Sequence, residues 1–365
     1  MIISFKKNTF KEAIQIVARF TERKTNTLPT LSGICIIAGD EGIKISATNL
    51  ETSITLYIEG IIQKTGVVVI PAEILKNITT SFSDEGTITF EHIGEIVIVS
   101  SGGAKSTIKT LSFDDFPIIS KQESTTSFTL AGSLIKELLG TVISCASIST
   151  IRPELSSILF SFEGGKLKAV ATDSFRLAEK QLSISGTIPV CSALIPAKNA
   201  SDIIQTLPQS DISISLSEHQ GTFSWGKNSI TTRLIQATYP DYIQIIPKKF
   251  ITEIIVSKKE FEEAVRSTIV FSDSFQKIRL TFDVKKKQLI LSARNPEIGE
   301  STHPLSGAIS GESIELSFNY KYIYSALSLT ESETISLSSG GIGRPLIIKG
   351  VGDTTFLYLV MPMNQ

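Results

Sequence analysis

Ala169-Val170-Ala171-Thr172-Asp173 reads as a strand running into a polar corner. Apolar and β-branched residues give way there to Thr-Asp, whose short side chains hydrogen-bond to nearby backbone. The phrase has two echoes, Ile45-Ser46-Ala47-Thr48-Asn49 upstream and Leu291-Ser292-Ala293-Arg294-Asn295 downstream, and the three alanines stand 124 and 122 residues apart. Self-similarity at a long fixed period marks a repeated structural module.

Other landmarks keep that period. A helical pattern opens at Thr9 and runs to Phe20, with Phe10, Ala13, Ile14 and Val17 on one face, and helix-like starts recur at Ser133 and Lys258. Second helices are expected from Pro71, with Ile74, Leu75 and Ile78 together, from Pro196, and from about Phe318. Proline suits a first helical turn. Each unit then closes on an X-Pro pair: Phe116-Pro117, Tyr239-Pro240 and Met361-Pro362. In the first unit the runs Gly33 to Ile37, Ile43 to Ala47, Ser53 to Ile58, Val67 to Ile70, Thr87 to Phe90 and Ile96 to Val99 read as antiparallel strands. Helix, strands, helix, strands is an α+β order, with two helices laid on antiparallel sheets in each unit. The expected domains are 1–122, 123–247 and 248–365, with Lys248-Lys249 in the second linker.

Composition bounds the function. With 365 residues, 41% hydrophobic content and mean hydropathy of +0.18, the chain can bury a sizeable core. No run approaches the roughly 20 apolar residues of a membrane helix, and Met1 to Lys7 lacks the pattern of a secretion signal, so a cytoplasmic protein is expected. Cys35, Cys145 and Cys191 are scattered and odd in number, which argues for buried thiols rather than disulfides. His92, His219 and His303 offer no metal-ligand spacing, so neither metal nor cofactor is expected. The net charge of −1 argues against a protein that grips nucleic acid by charge alone.

No catalytic constellation is legible. Ser101-Gly102-Gly103-Ala104-Lys105-Ser106-Thr107 lacks the Gly-Lys of a phosphate loop and reads as a hairpin turn. Gly340-Gly341-Ile342-Gly343-Arg344-Pro345 reads as a surface loop. Asp114-Asp115 and Glu262-Glu263 are adjacent carboxylates with no positioned nucleophile nearby. On the residues alone, a repeat-built scaffold or ligand-binding protein stays open, as does a hydrolase with an unrecognised acidic pair.

Ala171-Thr172-Asp173-Ser174-Phe175-Arg176-Leu177-Ala178 resembles the signature of the bacterial sliding clamps, the beta subunits of DNA polymerase III. It is joined, in the family's order from end to end, by Thr27-Leu28-Pro29, Ile70-Pro71-Ala72, Phe116-Pro117, Ile195-Pro196-Ala197-Lys198, Tyr239-Pro240-Asp241-Tyr242, Asn295-Pro296-Glu297, Phe318-Asn319 and Val360-Met361-Pro362-Met363. The resemblance implies three repeated DNA-clamp domains forming half of a head-to-tail dimeric ring. Such a ring is a non-catalytic processivity factor that encircles duplex DNA without reading sequence. Its implied partners are a second copy of the chain, the polymerase catalytic subunit, the clamp loader, and other replication and repair proteins carrying a short peptide motif. No membrane and no cofactor is implied.

The resemblance also assigns residues. DNA contact is expected from Arg152 and Lys198, and from Arg23, Lys24 and Lys76. The six helical segments carry a combined charge of only +2, which suits a ring held on by topology. A partner-peptide pocket between the second and third domains is expected from Leu155, Thr172, Ser174, Phe175, Arg176, Leu177, Pro240, Ile245, Asn319, Tyr322, Pro345, Val360, Met361, Pro362 and Met363. Methionine and proline supply adaptable apolar walls there, while Arg176 and Asn319 are expected to orient the peptide. Four positions depart from the family: Ala197 stands where many relatives are basic, Phe175 replaces a His, and Asn364-Gln365 replaces a basic ending.

Overall fold

The computed structural model describes residues 1–22, 28–81, 85–119, 126–184 and 188–363. The expected boundary at Gln122 lies outside the described residues, as do Arg23, Lys24 and Asn364-Gln365.

The first third contains β1 (Ile2–Lys6), α1 (Lys7–Val17), β2 (Gly33–Gly39), β3 (Gly42–Thr48), β4 (Thr52–Ile58), β5 (Ile61–Lys64), β6 (Gly66–Pro71), α2 (Ala72–Ser81), β7 (Thr87–Ile93), β8 (Ile96–Ser101) and β9 (Ala104–Lys109). The middle third contains β10 (Thr126–Ala131), α3 (Gly132–Val142), β11 (Ser157–Glu163), β12 (Lys166–Thr172), β13 (Arg176–Ser183), β14 (Cys191–Pro196), α4 (Ala197–Thr206), β15 (Asp211–Leu216), β16 (Gln220–Trp225) and β17 (Asn228–Arg233). The last third contains β18 (Thr252–Ser257), α5 (Lys258–Ile269), β19 (Lys277–Asp283), β20 (Gln288–Asn295), β21 (Gly299–Ser306), β22 (Ala308–Gly311), β23 (Ile314–Asn319), α6 (Tyr320–Leu329), β24 (Thr334–Ser339), β25 (Leu346–Gly350) and β26 (Phe356–Val360).

One antiparallel pairing scheme recurs. The strand leading into the second helix joins a three-strand meander, as β6-β2-β3-β4, β14-β11-β12-β13 and β23-β19-β20-β21. The strand leading into the first helix joins the last three, as β1-β7-β8-β9, β10-β15-β16-β17 and β18-β24-β25-β26. These leading strands were not foreseen: Ile2–Lys6 is five residues long and gives too little alternation to read alone. The α+β architecture with three domains of sheet and helices is as expected.

Four-strand sets from successive thirds fuse edge to edge. β4 pairs with β17, setting Ile54 opposite Ile230, and β13 pairs with β26, setting Ala178 opposite Tyr358. The chain accordingly forms two compact units, Met1–Lys136 with Lys198–Gln236, and Glu137–Ala197 with Ala237–Gln365. Among the described residues, β9 ends a five-stranded sheet and β21 ends a four-stranded one, each with its outer edge unpaired.

Local chemistry accounts for the helices. Phe10, Ala13, Ile14 and Val17 are all buried, and the Phe10 ring packs 4.6 Å from Phe5 and 4.9 Å from Phe90. Each such ring contributes roughly 1.5–3 kcal/mol by leaving water. Ser257 caps α5 by accepting from the Glu260 amide, and Asn319 caps α6 by accepting from Lys321. Pro71 and Pro196 differ from expectation: each closes a strand ladder, opposite Gly33 and Ser157, and the helix begins one residue later. About Phe318 the shift is two residues, because Phe318 and Asn319 still pair with β19. The buried stripe of α2 is Ala72, Leu75 and Thr79, leaving Ile74 at 45% exposure. Ser101 to Thr107 is a hairpin whose Gly102 and Gly103 take φ of +55° and +87°. Cys35 and Cys145 are buried free thiols, whereas Cys191 is only half-buried.

Candidate functional site

The corner after β12 is built by its own side chains. Thr172 Oγ1 donates to the Arg176 carbonyl at 2.7 Å and accepts from the Ser174 amide at 3.2 Å. Asp173 Oδ1 accepts from the Phe175 and Arg176 amides, both at 3.0 Å, and Ser174 takes a left-handed φ of +77°. The first third folds its corner identically. Thr48 Oγ1 donates to the Thr52 carbonyl, Asn49 Oδ1 accepts from the Glu51 and Thr52 amides, and Leu50 has φ +70°. The Thr-Asx phrase therefore encodes a turn, and what distinguishes the second copy is the side chains hung on it.

Arg176 occupies the centre. Its Nε donates to Asp173 Oδ2 at 3.1 Å, Nη1 to Ser325 Oγ at 2.8 Å and Nη2 to the Ser144 carbonyl at 2.6 Å. The guanidinium carbon sits 4.9 Å from the centroid of the Tyr322 ring, a cation–π contact. The Phe175 ring, 59% exposed, stacks at 6.3 Å and 14° on Tyr322. Phe175, Arg176 and Tyr322 thus form one layer of aromatic and guanidinium planes.

The chain's last strand forms the adjoining wall. Val360 pairs with Arg176 and Leu359 with Leu177. Beyond the strand, the Met361 amide donates to the Phe175 carbonyl and the Met363 amide to the Ser317 carbonyl, each at 2.8 Å. Beneath lies an apolar cluster of Val170, Leu177, Tyr242, Ile347 and Leu359, against which Met361 packs. Tyr358 Oη donates to the Tyr322 carbonyl at 2.8 Å, and Tyr242 Oη to Glu179 Oε2 at 2.5 Å. Burial, then the Glu179 carboxylate, pushes the Tyr242 phenol above its ordinary range, so it stays a neutral donor. Burial pushes the Cys145 thiol up to about 11, so this thiol is no nucleophile.

All fifteen expected pocket residues fall in the second compact unit. Contacts bring together Thr172, Ser174, Phe175, Arg176, Leu177, Tyr322, Val360 and Met361. Leu155 and Pro345 are buried, Ile245 is 45% exposed, and Pro240 accepts from the Tyr242 amide. Pro362 and Met363 are half-buried. Asn319 is committed to the fold, since Oδ1 caps α6 and Nδ2 reaches Gln276 Oε1 at 3.4 Å. Sequence reading missed Tyr239, Tyr242, Tyr358 and Ser325. The quoted Tyr239-Pro240-Asp241-Tyr242 carried the signal for two of these, a half-buried and a buried tyrosine that each need a hydrogen-bond partner.

Of the expected DNA contacts, Arg152 is exposed and pairs with Glu154 at 2.9 Å, in the second unit. Lys198 and Lys76 are exposed on α4 and α2, in the first. Among the described residues, no group of three or more His, Cys, Asp or Glu could hold a metal ion, and no helix is long and apolar enough to cross a membrane.

Comparison with known proteins matches this geometry along the whole chain. Three family models match in succession: DNA polymerase III beta subunit, N-terminal domain over 1–120, central domain over 129–241 and C-terminal domain over 243–364. The beta sliding clamp of Bacillus subtilis (strain 168) is 27% identical over 100% of both chains, and that of Escherichia coli (strain K12) is 26% identical over 93% of each. The crystal structure of the DNA polymerase sliding clamp from Bacillus subtilis superposes with a TM-score of 0.94 at 26% identity, covering 100% of this chain and 99% of that one. A Pseudomonas aeruginosa sliding clamp solved bound to griselimycin gives 0.93 at 23% identity, covering 100% of both. With the modules, the fused sheets and the three models in agreement, the chain belongs to the DNA polymerase III beta subunit family, the bacterial sliding clamps.

Proposed function

We propose that two copies of this chain close head to tail into a ring around duplex DNA, and that the ring holds the replicative polymerase on its template as a processivity clamp. Each subunit contributes three clamp domains, 1–122, 123–247 and 248–365. One observation carries the reading. Two seams within the chain join equivalent edges, β4 to β17 and β13 to β26, while β21 and β9, the remaining equivalents, have no partner on their outer edges among the described residues. A second copy completes the series by joining its β9 to this chain's β21.

The seams fix the register. Ile54 and Ala178 each lie directly opposite a corner alanine, Ala47 and Ala171, as Ser301 lies opposite Ala293 in the last third. Their seam partners Ile230 and Tyr358 correspond to Ser106 in β9. Ser106 of one subunit therefore faces Ser301 of the other. The helices of each seam agree: Arg19, after α1, acts electrostatically on Asp202 of α4, and Ser144, after α3, meets Arg176, which reaches Ser325 of α6. The corresponding ends at the open seam expose Val270, at 63%, and Ile74, two apolar groups to be covered.

The clamp does no chemistry of its own. It raises the effective concentration of tethered enzymes at the primer end, through a pocket that takes short peptides with apolar and aromatic anchors. Partners are the polymerase catalytic subunit, the clamp loader, and replication and repair proteins, on chromosomal DNA in the cytoplasm. Arg152, Lys198 and Lys76, with Arg23 and Lys24, meet phosphates without base readout.

Clamp-loader-assisted loading on nicked circular DNA, followed by linearisation, tests the ring. A topologically held ring runs off the free ends, and retention after cutting, or a monomer at micromolar concentration, overturns it. Ser106→Cys with Ser301→Cys gives oxidised covalent dimers in the proposed register, whereas Ser106→Cys with Thr302→Cys does not. For the pocket, Met361→Ala with Met363→Ala weakens binding of a synthetic peptide carrying leucine and phenylalanine anchors while the dimer persists; unchanged affinity refutes the assignment.

A further inference from the structure

Thioether sulfur is scarce in this chain and unevenly placed. Of three methionines, Met1 is buried at 6% exposure, while Met361 and Met363 are only half-buried and stand two residues apart in the wall just described. Cys35 and Cys145 are buried, and burial pushes their thiols up to about 12 and about 11; the half-buried Cys191 is raised for the same reason. A thiol attacks peroxide as its thiolate, a form these cysteines rarely reach. Cys191 is as accessible as these two methionines, but a thioether needs no ionisation to react, and the two thioethers within an oxidant's reach stand at one place.

We propose that Met361 and Met363 form an oxidation-sensitive switch on the partner pocket, an inference that rests on the pocket reading above. The oxidant is hydrogen peroxide. A thioether lone pair attacks one peroxide oxygen, the S–O bond forms as the O–O bond breaks, and proton transfer releases water. Sulfur is oxidised by two electrons and peroxide is reduced by two. The sulfoxide is a polar acceptor where a soft apolar group stood. At Met361 it adjoins the cluster of Val170, Leu177, Tyr242, Ile347 and Leu359. The main-chain N–H groups of Met361 and Met363 already donate to Phe175 and Ser317, so they cannot satisfy it. Those same bonds hold the segment in place, so the altered wall stays beside the peptide instead of swinging clear. Methionine sulfoxide reductases drawing on a thiol restore the thioether, which makes the change reversible.

The test treats the intact protein with hydrogen peroxide, locates added oxygen by peptide mass spectrometry, and titrates a fluorescent synthetic peptide carrying leucine and phenylalanine anchors. Oxygen is expected on Met361 and Met363 before Met1 or any cysteine. Peptide affinity is expected to fall about tenfold, as for burying one unsatisfied polar group, and to recover after reductase treatment. Met361→Leu with Met363→Leu is read as the ratio of affinities before and after peroxide, whatever its starting affinity, and that ratio is expected to be one. Full oxidation of both methionines with unchanged affinity overturns the switch, as does a loss that persists in the double leucine variant. An untreated protein that fails to bind the peptide sinks the pocket reading and the switch together, a result distinct from binding that peroxide leaves untouched.

Discussion

Arg176 Nη1 donates to Ser325 Oγ at 2.8 Å, tying a hairpin corner to a helix 149 residues further along the chain. The same guanidinium serves Asp173 and the Ser144 carbonyl, so three acceptors depend on one planar fork. A lysine ammonium is a point donor and cannot span them. Arg176→Lys is expected to lower stability by roughly 1–3 kcal/mol, read as a lower denaturant midpoint, and to weaken peptide binding as Tyr322 loses its support. An unchanged midpoint rejects this structural role.

Leu50 holds a left-handed φ of +70° at 50% exposure. Left-handed backbone costs an L-residue roughly 1–2 kcal/mol, and Asn tolerates it better. Leu50→Asn is expected to raise stability by about 1 kcal/mol; a fall in melting temperature contradicts the assignment.

Gly132 begins α3 where a Cβ would stand 2.1 Å from the Pro208 carbonyl oxygen. Backbone cannot yield as a flexible side chain does. Gly132→Ala is expected to cost roughly 1–3 kcal/mol, whereas Gly221→Ala, whose nearest neighbour lies at 3.4 Å, serves as the mild control. Equal losses in the two variants discard the close-approach argument.

In the proposed register Glu300 faces Thr107, with Lys105 and Lys109 of the second copy diagonal to it. Its partner within the chain, Arg294, is 4.0 Å away and exposed. Glu300→Lys is expected to weaken the dimer several-fold and to reduce its salt sensitivity. Sedimentation at two ionic strengths reads both effects, and an unaffected dimer removes β21 from the seam.

Burial holds the Asp202 carboxyl above its ordinary value of 3.8, against the pull of Arg19 and Lys198. The native state therefore binds this proton more readily than the unfolded chain does. The resulting stabilisation is complete below the unfolded value and is lost as pH rises through the raised one. Asp202→Asn is expected to flatten that acid-side fall and raise the melting temperature at neutral pH; a lower neutral value shows that the cations outweigh burial.

Repetition made the fold legible. A module copied three times repeats its apolar spacing, and the corners at Thr48 and Thr172 keep the residues that hydrogen-bond their own backbone. The short leading strands escaped because Ile2–Lys6 shows its pattern only beside Thr87–Ile93. At the corner after β12, residues close in sequence, such as Phe175 and Arg176, were visible through the motif. Ser325 and Tyr358 were not, because their part is set by a guanidinium and a carbonyl reached across the fold. Asn319 also caps α6, a second role that follows from a polar residue opening a helix.

The twice-used corner carries an arithmetical consequence. Its bracket of Thr and Asx bonds is generic, yet the guanidinium stands at position 176 and a threonine at the matching position 52. The third corner has Ile298 at that place, so the proposed pocket gives each polypeptide one berth despite three near-copies of its fold. The proposed two-subunit hoop would then seat no more than two passengers at a time, and enzymes travelling on it would have to queue or exchange places.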